Sequence, residues 1–496
     1  MSIYKGKKNE HMLNAVTAVL VLALTTLFNF MLTPFFINKL GVDGLAIVRI
    51  SLSIPVYIGL ISLAMMGTFS RFLTVELSNN NYHGAQEVFG TSFYSIIFLF
   101  LFLLFISYIL FLFFLPYFHD LEQYKSLFAF MFLFAFFSTV SFVFTLPAYA
   151  KNKQVFYNSN KLIAIIFQSS FIFLLLSISP EISYVGMSFF IGSLASLIFS
   201  IYCFRKFSND MNIKFVNFSF SKAFEMFSVS KWIFIDSVGV LFLLTIDLVL
   251  INFYYDSTSS GEYSIFLQML VATFAISKAI SGLFGPKIYS FYAVSDKSNL
   301  QKFELFSILS VGLVLGLLIG FIMAFSKPIL RIWLGEDLVH LSLFLSIGLA
   351  LFPVIFATNI FSFSFNACLK VKTPAIFTLS CGLAHFIMVN FLARYSELHI
   401  WGVLFSLVFF MFIRYVVFQF WYVKHIGWSK LNQYFIAILF VCLYCFVVFL
   451  FSFFIVNNFN VDSFFDLFIS FLVVSLIPCF SLFIFKGKFL ESTLKC

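Results

Sequence analysis

Three cations lie where an apolar sequence is expected to hold none. Arg49, Lys278 and Arg414 each fall inside a stretch of mainly apolar residues, and about 20 such residues are enough to span a bilayer as a helix. An ionisable side chain at the centre of such a helix costs about 2.5 to 3.5 kcal/mol on insertion scales, so it is expected to face an interior cavity rather than lipid. Cations so placed suit one task in particular: holding an anion that cannot cross hydrocarbon bare. The competing reading is that these long side chains snorkel to the nearest interface. It weighs most on Lys278, near the cytoplasmic end of its helix. It weighs less on Arg49, about one turn inside its helix near the outer face, and on Arg414, well inside its own. Arg71 and Lys231 sit at span boundaries, where they read as topology determinants or as the lining of a cytoplasmic entrance.

The carboxylates assigned to spans are Asp236 and Asp247 alone, both on an expected helix over residues 229–254. Their spacing corresponds to about three turns and puts them on one helix face. Either can neutralise a cavity cation or carry a proton for coupling. His385, in a span over 374–393, reads as a hydrogen-bonded core histidine, with titration as the competing reading. Cys442 and Cys445 share a C-x-x-C spacing inside an apolar helix without partner cysteines, so they read as small fillers. No disulfide, metal or cofactor is expected.

The elements that position these residues follow from composition. The chain is 62% hydrophobic and 10% charged, against roughly 25% charged for a soluble domain. Fourteen apolar spans fit between residues 12 and 485, giving an all-α integral membrane protein. Its 80 Phe read as apolar filler. Of the 30 Lys and Arg, Lys39, Lys125, Lys327, Arg331 and Arg394 fall on the outer side of this topology, and Arg49, Lys278 and Arg414 fall within spans. The rest fall in cytoplasmic segments, which predicts cytoplasmic N- and C-termini. Because that charge is spread over many segments, nucleic acid is not an expected partner.

Ala148-Tyr149-Ala150-Lys151-Asn152-Lys153 and Ala367-Cys368-Leu369-Lys370-Val371-Lys372 share an Ala-x-x-Lys-x-Lys pattern, each after a long apolar segment. Together with Gly44 and Gly261, and with Gly186 and Gly402, the echo predicts two related six-helix lobes. The expected organisation is an N-terminal lobe over 1–206, a cytoplasmic linker over 207–228, a C-terminal lobe over 229–425, and two extra, peripheral helices with a tail over 426–496. Pro34, Pro55, Pro147, Pro353 and Pro478 mark places where spans can bend.

In order and spacing, the chain resembles the polysaccharide-transport branch of the multidrug/oligosaccharidyl-lipid/polysaccharide exporters, which includes Wzx-type O-antigen flippases. The resemblance is carried by Pro34 to Gly41 leading to Gly44, and by the loop Arg71 to Phe89 with Glu76 and Ala85. It continues in Asp247 to Ile251 running to Gly261-Glu262-Tyr263-Ser264, and in Ile332-Trp333-Leu334-Gly335. It implies a non-enzymatic flippase that moves an undecaprenyl-pyrophosphate-linked oligosaccharide, for lipopolysaccharide O-antigen or capsule biosynthesis, by alternating access. H+ or Na+ is the implied coupling ion, and a polysaccharide polymerase and chain-length proteins are the implied partners. A peptidoglycan-precursor flippase and a cation-coupled multidrug exporter are the alternatives. A drug exporter is expected to carry an acidic cavity, whereas here three intramembrane cations face two carboxylates. A membrane glycosyltransferase needs a long extracytoplasmic loop and an acidic cluster, and neither is evident.

Overall fold

The computed structural model describes the backbone of the chain except residues 1, 80, 115–120, 152, 209–216, 294–295, 369, 426–430 and 486–496. Among the described residues every regular element is helical. In chain order they are α1 (Ser2–Ser78), α2 (Tyr82–Phe114), α3 (Leu121–Ala150), α4 (Gln154–Ile178), α5 (Ser183–Phe207), α6 (Phe220–Leu244), α7 (Ile246–Tyr254), α8 (Ser257–Ala293) and α9 (Lys297–Ala324). They continue as α10 (Ser326–Leu334), α11 (Ser342–Leu349), α12 (Phe352–Ala357), α13 (Phe361–Ala367), α14 (Lys372–Tyr395), α15 (His399–Phe412), α16 (Phe418–His425), α17 (Leu431–Asn458) and α18 (Phe464–Phe485). The chain divides into two compact units, Met1–Val238 and Gly239–Cys496.

Eleven helical runs among the described residues are long and apolar enough to cross a membrane, and one bent pair brings the number to twelve. This is fewer than the fourteen expected, for two reasons. The run Leu20–Val56 contains parts of two helices that the sequence separates, and the last span is represented by the shorter apolar helix Phe464–Leu476. Within α1 the break falls at Gly41, whose φ of 75° interrupts the helix between residues 40 and 42. A β-carbon at Gly41 would meet nothing within 4 Å, so only the backbone conformation demands glycine there. Gly41→Ala is therefore expected to cost about 1 to 3 kcal/mol through that conformation. A thermal melt of the purified variant checks this, and an unchanged midpoint would show that the break does not depend on glycine.

The prolines are mostly absorbed. Pro34 and Pro55 lie inside α1 and Pro147 inside α3 without ending either helix. The bend expected from Pro55 is not what breaks α1, since the non-helical residue is Gly41. Pro353 does mark a break: it opens α12, where Glu336–Leu349 and Phe352–Ala367 meet at 47°.

In the first unit α3 packs against α5, with a core that includes Phe69, Phe89, Val143 and Leu146. Both Ala-x-x-Lys-x-Lys copies close one helix and precede the next, at the α3–α4 and α13–α14 turns. Lys151 donates Nζ to the carbonyl of Phe207 at 2.6 Å, placing a cation on the last residue of α5, where the helix dipole is negative.

In the second unit one face of α17 packs closely on α9, while Phe435, Ile436, Leu443 and Phe454 leave its other side exposed. Gly312, Gly316 and Gly320 recur every fourth residue on α9, so they share a face. β-Carbons there would meet Val441, Tyr444, and Cys445 with Val448, all on α17, at 2.4 to 3.0 Å. This is the small-residue crossing by which membrane helices pack closely without a hydrophobic drive. α18 adds to it through Phe471, whose ring lies 5.2 Å from that of Phe321.

Candidate functional site

In the first unit the Gly41 break lets the chain after the kink return toward the chain before it. Arg49 is half-buried and donates Nη2 to Thr33 Oγ1 at 2.8 Å. Thr33 is fully buried and donates in turn to the carbonyl of Asn29 at 3.0 Å. The guanidinium is thus held across the break by a neutral hydroxyl.

In the second unit Arg414 is buried, 6% exposed, within the π-helical turn Ile413–Val417 that joins α15 to α16. Its Nε donates to Thr378 Oγ1 on α14, and its guanidinium lies over the rings of Tyr415 and Phe418 at 4.9 and 5.4 Å. A π-turn inserts one residue and displaces a carbonyl from the normal ladder, an arrangement frequent at functional sites. Here Thr358 Oγ1 reaches the carbonyl of Tyr415 at 2.5 Å and stabilises the turn.

Two turns along α14 from Thr378, and so on the same face, His385 anchors a second polar group. Its Nε2 lies 2.8 Å from Asp247 Oδ1 and its Nδ1 2.8 Å from Ser406 Oγ. Tyr263 donates its hydroxyl to Asp247 Oδ2 at 2.7 Å. Asp247, Tyr263 and His385 are fully buried and Ser406 nearly so. Asp247 thus pairs with a histidine, in a network contributed by α7, α8, α14 and α15.

Asp236 and Asp247 do not lie on one continuous helix, so their spacing alone no longer implies a shared face. The span over 229–254 breaks at Thr245, with φ −121° and ψ −24°, leaving Asp236 on α6 and Asp247 in the first turn of α7. Asp236 is half-buried. Nor are these two the only carboxylates within helices that can span: Glu304, one residue inside the expected span over 303–326, is fully buried in α9. It accepts hydrogen bonds from Ser364 Oγ of α13 and, at 2.9 Å, from Tyr434 of α17.

The remaining candidates are placed differently. Lys278 is exposed, with Nζ 4.3 Å from the centre of the Phe274 ring. Lys231 is half-buried, with Nζ 5.3 Å from the Trp232 ring. The side chain of Arg71 lies outside the described residues. Cys442 and Cys445 are free thiols, the first exposed and the second buried.

The fold is that of a multi-pass, all-helical membrane protein and is similar to the fold of solved transporters of the MOP superfamily. The lipid II flippase MurJ in an inward closed conformation superposes with a TM-score of 0.68 at 15% identity, covering 96% of this chain and 99% of that chain. A multidrug resistance MATE family transporter in an inward-facing conformation gives a TM-score of 0.56 at 15% identity, covering 84% and 99%. These neighbours are transporters rather than enzymes. In sequence, the chain is similar to the uncharacterized membrane protein EpsK of Bacillus subtilis (strain 168), 23% identical over 426 residues and 82% of each chain. No family model matches.

Proposed function

We propose that this protein is a flippase that carries an undecaprenyl-pyrophosphate-linked oligosaccharide across the bacterial cytoplasmic membrane by alternating access, with both termini cytoplasmic. The observation that carries the reading is Arg414, a buried guanidinium fixed by Thr378 inside a π-turn of a membrane-spanning helix. A pyrophosphate is the headgroup such a cation suits, because guanidinium donors pair bidentately with phosphate oxygens. Arg49 on Thr33 supplies the same chemistry in the first unit. Lys278, exposed on α8, and the boundary residues Arg71 and Lys231 are assigned to substrate approach. Asp247, held by His385 and Tyr263, is assigned to coupling by H+ or Na+, with Asp236 as a secondary candidate. The superposition on a lipid flippase along almost the whole chain supports this class of cargo over a small drug.

Deleting the protein tests the reading. A lipid-linked oligosaccharide is expected to accumulate on the cytoplasmic leaflet, where it stays inaccessible to an external glycosidase in intact spheroplasts. Accumulation of the peptidoglycan precursor instead would transfer the proposal to that lipid, and no accumulation of either would reject it.

A further inference from the structure

The face of α14 that carries Thr378 is also the face on which the end of α6 rests, at a separation that admits no side chain. A β-carbon built on Gly239 would stand 2.5 Å from the Leu379 nitrogen, and 2.6 and 2.7 Å from the Thr378 carbonyl carbon and oxygen. From the other side, a β-carbon on Gly382 would stand 2.5 Å from the Gly239 oxygen and 2.9 Å from Phe242 Cβ. The crossing is therefore backbone on backbone, and the backbone it touches is that of Thr378 itself. Backbone atoms cannot swing aside as a side-chain tip can. One added methyl group must therefore part the helices by roughly 1 Å to restore an ordinary van der Waals separation.

A displacement of that size matters at Thr378 more than elsewhere on the helix. Its side chain is fully buried and already committed, donating to the Pro374 carbonyl at 2.8 Å while accepting from Arg414 Nε. Hydrogen bonds weaken steeply once the heavy atoms part beyond about 3.2 Å, so a rigid shift of α14 unseats the guanidinium. His385 rides on the same face two turns on, so the shift also strains its contact with Asp247. By contrast, the Gly312, Gly316 and Gly320 crossing of α9 with α17 is also close, with a β-carbon on Gly320 2.9 Å from the Cys445 oxygen, yet touches neither group.

Resting on the reading of Arg414 as an anion holder, we infer that Gly239 and Gly382 are positioning residues. They seat α14 so that Thr378 presents Arg414 to the pyrophosphate, and they act on substrate affinity rather than on stability alone. The neighbouring crossing then serves as the control for packing damage.

The test uses the full chain in lipid nanodiscs with farnesyl pyrophosphate as the titrated probe, and reads Kd by calorimetry alongside the melting temperature. Gly239→Ala and Gly382→Ala are expected to weaken binding about tenfold or more, equivalent to about 1.4 kcal/mol. Gly320→Ala is expected to lower the melting temperature and leave Kd unchanged. Thr378→Val, which keeps the crossing and shape but removes the acceptor, is expected to weaken binding as the glycine variants do, and it decides the matter if they do not accumulate. A Kd within twofold of the parent in the glycine variants, or in Thr378→Val, overturns the inference. If Arg414→Ala also leaves Kd unchanged, the anion-holder reading falls; if only Arg414→Ala weakens binding, that reading stands and the positioning role falls.

Discussion

Replacing Arg414 by alanine is expected to abolish transport while the protein accumulates near the parent level. Charge-assisted hydrogen bonds to a phosphate are worth about 1.5 to 3 kcal/mol each, so losing a two-pronged contact lowers flipping by at least about 100-fold. The fold tolerates the change because Thr378 keeps its bond to the Pro374 carbonyl, and Thr358 still holds the carbonyl of Tyr415 in the π-turn. Arg414→Lys retains the charge but not the planar fork, so it restores only part of the activity. Arg49→Ala acts in the same direction in the first unit, where its partner Thr33 remains bonded to Asn29. Surface-polysaccharide display measured against immunoblotted protein reads both effects. Full display from both alanine variants would remove the cationic site from the mechanism.

How much of this could be read beforehand depended on whether a feature is written locally. The spans are legible because hydrophobic length is a property of consecutive residues, and each expected span overlaps a helix, although two of them merge in α1, others are divided, and α10 falls between two of them. Arg49 and Arg414 are legible because a cation in an apolar run is conspicuous. Their holders are not: Thr33 and Thr378 are ordinary small polar residues until the fold brings them 16 and 36 positions along the chain to an arginine. The Thr245 break has no glycine or proline to announce it, and it separated two aspartates whose spacing fitted a continuous helix. The glycines at 312, 316 and 320 did carry a signal for the α17 crossing, in their spacing of four. Glu304 is not announced as a buried site because its partners Ser364 and Tyr434 come from remote helices and it lies at the edge of its span.

His385→Ala is expected to be strongly destabilising to the second unit. Removing one partner of a fully buried hydrogen-bonded group leaves the other short of a bond, which costs about 1 to 3 kcal/mol or more. For a unit of this size that lowers the melting temperature by several degrees. Asp247 retains Tyr263 at 2.7 Å, which limits the loss without replacing the imidazole. Asp247→Asn behaves differently: the amide oxygen still accepts from Tyr263 and its nitrogen can donate to His385 Nε2, so the cost in stability is smaller. What the amide cannot do is take up and release a proton. The two variants therefore separate structure from coupling: His385→Ala lowers both stability and transport, whereas Asp247→Asn spares the melting temperature and removes the dependence of transport on an imposed proton gradient in proteoliposomes. A parent-like gradient dependence in Asp247→Asn would leave the network a purely structural clamp among α7, α8, α14 and α15, and would move coupling to Glu304, the other buried carboxylate among the described residues of this unit.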